Sequence, residues 1–245
     1  MEEIVALDFT GERLVIGKAD RNTELQHIQR YYFAKNLTKD KTVLDVGCGS
    51  GYGTAILDKS AKSIVGIDIS FKTVLFSYQQ VKHTRGKRKL FFVCADARNL
   101  PFKENIFEVI TAFEVIEHIE QYNTFLLELK RVSQGISLIS TPNSRLTLKN
   151  SEVPLNVFHK FEWTFEEFQN VIQRHFSLFD IIGQSGRGYF DIHKEVRDED
   201  LFFMAICGGR LEKEYSEGLF LWLYIHTYYS MFYWRNKMRI RNLLK

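Results

Sequence analysis

The stretch "VLDVGCGSGYGT" (residues 43–54) constrains this chain more than any other. An apolar, β-branched run ends in glycines at alternate positions, Gly47, Gly49, Gly51 and Gly53, and a helix-length segment follows. Alternate glycines permit positive φ and let backbone come close to a ligand. A strand running through such a turn into a helix is the first unit of a parallel α/β sheet. The glycine spacing is neither GxGxxG nor GxxxxGK[ST], and no lysine stands ready for a β/γ-phosphate, so dinucleotide and nucleoside-triphosphate sites are disfavoured. Asp45, inside the motif, would repel a pyrophosphate. It suits a cationic group or loop amides, which points to a nucleoside ligand without phosphates.

The rest of the chain repeats the alternation. Apolar strand candidates occur at 42–47, 63–70, 90–96, 107–114, 135–142, 178–184 and 201–208, separated by helical stretches such as "TFLLELKRV" (124–132). Thr164 with Glu167 three residues later forms a capping box that opens another helix. The expectation is a seven-stranded, doubly wound, Rossmann-like α/β sheet over residues 1–210, with an aromatic-rich helical extension over 211–245. At 245 residues and 45% apolar content there is enough chain for one such core and little for a second. A net charge of +3 does not by itself indicate nucleic acid. Three cysteines without a CxxC pair suggest thiols in a reducing compartment, and the acidic N-terminus lacks a signal-sequence pattern. The expected location is cytoplasmic, with membrane association through the C-terminus as a variant.

Ligands of doubly wound sheets bind beyond the carboxyl ends of the strands, and acids stand there. Asp68 ends the second strand, 19 positions after Gly49, a distance suited to a ribose diol. Asp96 ends the third and suits an exocyclic amine such as that of adenine. One acid for an amino acid or its amides, one for ribose and one for a base together describe S-adenosylmethionine. The motifs "VLDVGCGSGYG", "GIDIS", "CADARNLPF", "FEVIEHI" and "LISTPN" resemble, in order, those of class I S-adenosylmethionine-dependent methyltransferases over roughly residues 25–185. That resemblance implies that Asp45, Gly47, Gly49 and Gly51 line the methionine part. It puts the ribose on Asp68 and Ile69, the adenine on Asp96 and Ala97, and Phe113 beside the sulfonium. It also implies that Arg30 reaches the methionine carboxylate.

"AFEVIEHIE" (112–120) follows the fourth strand on the acceptor side. A helix beginning near Glu114 would bring Glu117 and His118 onto its face, with His159 returning over the site from "NVFHKFEWT". Three roles remain open: a divalent metal site, such as for Mg, built from Glu114, Glu117, His118 and His159; proton removal by His118, with His159 also a catalytic candidate; or a structural helix start. The pattern resembles two metal-dependent groups, the small-RNA 3′-terminal 2′-O-methyltransferases and, over E-x-x-E-H, the ubiquinone-pathway O-methyltransferases. A longer resemblance, from Phe9 to Gly188, is to bacterial methyltransferases that accompany glycosyltransferases and modify sugars or glycans; Lys18 and Val157 stand near places where that family has proline. The expected acceptor is therefore a sugar or glycan hydroxyl or another small molecule. An RNA ribose and a non-catalytic cofactor-binding role are the rivals.

Two runs complete the reading. "KHTRGKRK" (82–89) is basic but has no aromatic residues for base stacking, and reads as a solvated loop rather than a nucleic-acid surface. "LFLWLYIHTYYSMFYW" (219–234) holds eight aromatics and no charge, with five basic residues in the eleven that follow. It is shorter than the roughly 20 residues that span a bilayer. Its few polar positions favour packing on the sheet or on a second copy of the chain, giving a homodimer, over peripheral membrane contact.

Overall fold

The computed structural model describes residues 5–7, 11–81, 89–148, 151, 153–185 and 192–208. The aromatic extension, the boundary at 210/211 and all of the basic run except Lys89 lie outside the described residues. Among the described residues no helix is long and apolar enough to cross a membrane.

The glycine-turn strand β1 (Thr42–Val46) lies centrally, with β2 (Ser63–Asp68), β3 (Lys89–Cys94), β4 (Phe107–Phe113) and β5 (Ser133–Pro142) parallel to it. The remaining strands are β6 (Phe179–Ser185), β7 (Ile192–His193) and β8 (Asp200–Cys207). The sheet order is β3-β2-β1-β4-β5-β8-β6-β7. All seven expected strands are present, and a two-residue edge strand, β7, makes eight. The apolar runs had suggested a parallel sheet throughout, but β8 enters antiparallel between β5 and β6. A strand covered on both faces is apolar whichever way it runs, so its sequence carries no direction.

Consecutive strand residues serve opposite faces. Val43, Ile64, Val109, Leu138 and Ile182 join one core, with Ile28 and Tyr31 of α1 (Arg21–Leu37) and Ile56 and Leu57 of α2 (Tyr52–Asp58). Leu44, Ile110, Ile139 and Ile181 join the other, with Phe125 and Leu129 of α4 (Tyr122–Val132) and Phe168 and Ile172 of α6 (Phe165–Gln173), whereas α3 (Phe71–Val81) covers the β2–β3 edge. Helices on both faces explain the unbroken apolar strands. The capping box forms: Thr164 Oγ1 accepts from the Glu167 amide (3.3 Å) and Glu167 Oε2 accepts from the Thr164 amide (2.8 Å). The short α5 (Ser144–Thr147) follows β5. The order reverses between β1 and β4, which opens the crevice at their carboxyl ends.

Candidate active site

A cavity of about 830 Å³ occupies that crevice. The ends of β1 to β4 floor one half, those of β5 and β8 floor the other, and the N-terminal segment Gly11–Leu14 forms part of the wall.

In the first half, Gly47 and Gly49 line the cavity. Gly47 has φ +67°, and a Cβ there would meet Val115 Cγ2 at 2.4 Å. Gly49 is open, with no atom nearer than 3.9 Å to a Cβ, so its backbone faces a ligand directly. Gly51 does not line the cavity; a Cβ on it would meet Ser77 Cβ at 2.8 Å, so its glycine serves the packing of the turn on α3. Asp68 accepts from the Gly49 amide (3.2 Å) and the Ser70 amide (2.9 Å), which aims the carboxylate at the turn, and burial raises its pKa. Ile69 lies beside it, 66% exposed on the cavity wall. Asp96 and Ala97 also line the cavity.

Besides Gly51, two expected contacts lie off the cavity wall, and a third, Asp96, is on the wall but engaged. Asp45 is buried below the turn, off the cavity wall. It accepts from Thr54 Oγ1 (2.6 Å), Thr111 Oγ1 (2.8 Å) and Tyr31 Oη (3.1 Å), and burial raises its pKa to about 6. The hydroxyls take the place of the cation or loop amides that the sequence suggested. Arg30 is also off the wall: its Nη1 donates to Gln184 Oε1 (2.7 Å), its guanidinium lies 4.5 Å from the Phe202 ring centroid, and its Nη2 is 3.9 Å from Glu114 Oε1. Tyr31, its neighbour on α1, lines the cavity instead and packs edge-on against Phe113 at 5.0 Å. Asp96 is engaged by Arg98 through Nε (3.0 Å to each oxygen), Nη2 (2.6 Å) and the amide (2.8 Å), which lowers its pKa. Nε is shared between the two oxygens, so Arg98 competes for the carboxylate with any amine that approaches along the cavity wall.

No helix begins at Glu114. Its φ of +56° turns the chain out of β4, and a 3₁₀ turn (Ile116–His118) follows. Glu114 Oε1 accepts from Ser140 Oγ (2.6 Å) and faces Arg30, on the cavity wall. The helical face expected for Glu114, Glu117 and His118 is thus replaced by a tight turn. The turn brings Glu117 and His118 to His159, with one ligating atom from each of the three within 4.8 Å of one another; Glu114 is not among them. The two imidazoles meet edge to face at 4.9 Å.

Both imidazoles are locked. His118 Nδ1 is 3.0 Å from the Phe158 carbonyl oxygen, and His159 Nδ1 is 2.6 Å from Glu162 Oε1. Each Nδ1 therefore donates, leaving a lone pair on each Nε2. Burial lowers the pKa of His118, so it is neutral near pH 7. Glu117 is fully buried and neither carboxylate oxygen has a hydrogen-bond partner among the described residues. Burial first, and repulsion from Glu114 second, push its pKa well up.

A family model described as "Methyltransferase domain" matches residues 44–138. A protein of Mycolicibacterium smegmatis named "Probable S-adenosylmethionine-dependent methyltransferase" is 30% identical over 183 residues, covering 73% of this chain and 68% of that one. The chain belongs to the S-adenosylmethionine-dependent methyltransferases. The mitochondrial ubiquinone biosynthesis O-methyltransferase of Schizosaccharomyces pombe is 26% identical over 157 residues, 60% of this chain and 56% of the relative. Among solved structures, small RNA methyltransferase HEN1 superposes with a TM-score of 0.61 at 24% identity, over 76% of this chain and 26% of that one. At that identity the likeness is one of fold.

The methyltransferase's cofactor fits the observed half-site: an open glycine backbone, a partly buried acid at β2 and an exposed Ile69 beside it. Sequence reasoning missed Glu162, whose side chain is 2% exposed and which orients His159, and Asn156, which bonds to the same ring. Glu162 follows His159 by three positions in a loop, a spacing with no periodic signal. Glu12 and Arg13, within the stretch from Phe9 that resembles the sugar-modifying methyltransferases, also form part of the wall.

Proposed function

We propose that this methyltransferase methylates a hydroxyl of a sugar or glycan, and that Glu117, His118 and His159 hold a divalent cation at the acceptor side. The observation that carries the reading is Glu117, a fully buried carboxylate without a hydrogen-bond partner among the described residues, beside two imidazoles fixed through their Nδ1 atoms, with the Nε2 of His159 held by Asn156 at 3.0 Å. A buried carboxylate in that state is costly unless it meets a proton or a cation. Histidines that ligate a metal commonly donate their other N–H to a carboxylate or a carbonyl, as His159 and His118 do here. When bound, a divalent cation there lowers the pKa of an acceptor hydroxyl. S-adenosylmethionine supplies an already activated methyl, so the remaining tasks of the protein are alignment and proton removal.

The acceptor half suits a neutral polyhydroxy compound. Gln121 and Thr147 offer hydrogen bonds, and Leu146, Leu201 and Phe202 offer apolar surface for sugar C–H faces. Lys160 on its wall is paired with Glu120 at 3.7 Å, and nearby Arg145 with Glu166 at 3.0 Å, so among the described residues these two cations do not form an open array for an RNA backbone. A second reading, favoured by the lowered pKa of His118, makes that residue an unassisted proton acceptor. Free Cys48, Cys94 and Cys207 support a reducing, cytoplasmic setting.

The test is radiolabelled methyl transfer to sugar and glycan acceptors with and without chelator. The expected product is a base-stable methyl ether whose formation stops on chelation and returns with Mg²⁺ or Mn²⁺. His118→Ala abolishes transfer with cofactor affinity nearly unchanged. Label in a nuclease-sensitive fraction refutes the sugar reading, and transfer indifferent to chelator leaves His118 as the base.

A further inference from the structure

The segment Gly11–Leu14 and the acceptor-side loop meet at one side chain, Asn156. Its Oδ1 accepts from the Phe158 amide (3.1 Å), and its Nδ2 lies 3.3 Å from the Gly11 carbonyl oxygen and 3.0 Å from His159 Nε2. The two backbone partners settle which end of the amide is which, because the Phe158 N–H requires an acceptor and the Gly11 carbonyl requires a donor. Nδ2 therefore donates to His159 Nε2. With Nδ1 of the same ring 2.6 Å from Glu162 Oε1, both nitrogens of His159 are occupied. His159 can take a cation only after Asn156 leaves it.

Asn156 cannot simply offer its oxygen instead. Rotating the amide would set Oδ1 against the Gly11 carbonyl and the NH₂ group against the Phe158 N–H, breaking both bonds. A cation on His159 takes the lone pair and the space that Asn156 Nδ2 occupies, so the amide must shift and its long 3.3 Å contact with Gly11 is weakened. Gly11, Glu12, Arg13 and Leu14 all line the cavity, and the Leu14 carbonyl accepts from Ser50 Oγ (2.7 Å) of the glycine turn. The segment has one anchor on the turn and one latch on Asn156.

We propose that Asn156 is a positioning residue that couples the two halves of the site: a divalent cation at Glu117, His118 and His159 displaces Asn156 from His159, releases the latch on Gly11–Leu14 and speeds cofactor exchange. The proposal rests on the cation reading above. Linkage requires the converse, that the latched state binds the cation less tightly.

The experiment uses the full chain. Mn²⁺ binding is followed by electron paramagnetic resonance, and S-adenosylhomocysteine dissociation by stopped flow, for wild type, Asn156→Ala and Asn156→Asp. In wild type, saturating Mn²⁺ should raise the dissociation rate severalfold. In Asn156→Ala dissociation should be fast without Mn²⁺ and insensitive to it, and Mn²⁺ should bind about fivefold tighter, the equivalent of one net hydrogen bond. Asn156→Asp, which lacks the donor for Gly11, should also be fast and bind Mn²⁺ tighter still. A purely structural role would not make the rate respond to Mn²⁺. Wild-type Mn²⁺ affinity in both variants, or a wild-type rate unmoved by bound Mn²⁺, overturns the proposal and leaves the cation site standing. A wild-type chain that binds no Mn²⁺ removes the cation reading and the proposal together.

Discussion

Asp45 provides a test of the buried scaffold under the cofactor half, and its sign is unusual. Burial lifts its pKa to about 6 against the lowering effect of three hydroxyl donors, whereas in the unfolded chain the carboxyl titrates near its ordinary value of 3.8. With the folded pKa above the unfolded one, the native state binds the proton more tightly. This group therefore contributes most stability at low pH, and the contribution is lost as pH rises toward and through the folded pKa. The full difference is about 2 pH units, or about 3 kcal/mol; of this, about 2 kcal/mol falls between pH 4.5 and 7.5. Asp45→Asn removes the titration while keeping an acceptor for part of the cluster, and Thr54 and Thr111 can reverse their hydroxyls. Urea denaturation of both chains across that range gives a difference curve from which the other carboxylates and histidines cancel. Tyr31 and Cys48, which sense Asp45 directly, titrate above the range. The variant should gain about 2 kcal/mol on wild type from pH 4.5 to 7.5, with most of the change below pH 6.5. A flat difference curve, or one in which wild type gains as pH rises, would show that the hydroxyls outweigh burial and refute the reasoning.

Two further outcomes concern the cofactor half. Gly47→Ala must carry a left-handed φ of +67° and place a methyl 2.4 Å from Val115 Cγ2, so it should cost about 2–4 kcal/mol and sharply weaken S-adenosylhomocysteine binding. Pairing it with Val115→Ala should restore only part of the stability, and wild-type urea midpoints for the single variant would contradict the packing argument. Arg98→Ala frees the Asp96 carboxylate and should tighten S-adenosylhomocysteine severalfold by titration calorimetry; weaker binding would mean that Arg98 itself holds the ligand.

The cofactor half was the more legible in sequence because its signals are local. The glycine turn, Asp68 and Asp96 sit at the ends of strands that are themselves apolar runs, so spacing along the chain translates directly into position at the sheet edge. The departures there share one cause. Asp45 and Arg30 turn their side chains away from the cavity wall and Gly51 packs on α3, and each is set by a partner distant in sequence: Thr111 for Asp45, Gln184 for Arg30, Ser77 for Gly51. The direction of β8 and the two-residue β7 left no pattern at all.

The acceptor half is encoded differently. Glu117 and His118 are adjacent in sequence, yet what they can do is decided by a loop some 40 residues later, where the Phe158 carbonyl fixes His118 and Glu162 fixes His159. The helix expected at Glu114 would have aimed that residue with Glu117 and His118; the positive φ that replaces it turns Glu114 toward Ser140 and Arg30. Glu114 thereby acts on the cluster at one remove. Its charge is drawn toward Arg30, yet it stays close enough to Glu117 to oppose ionisation there. A cation binding at Glu117, His118 and His159 would reverse that opposition, since it would favour Glu117 in its ionised form. The strained residue at the end of β4 thus contributes negative charge beside the proposed site without joining the three groups that would hold the ion, a division of roles that E-x-x-E-H spacing alone does not reveal.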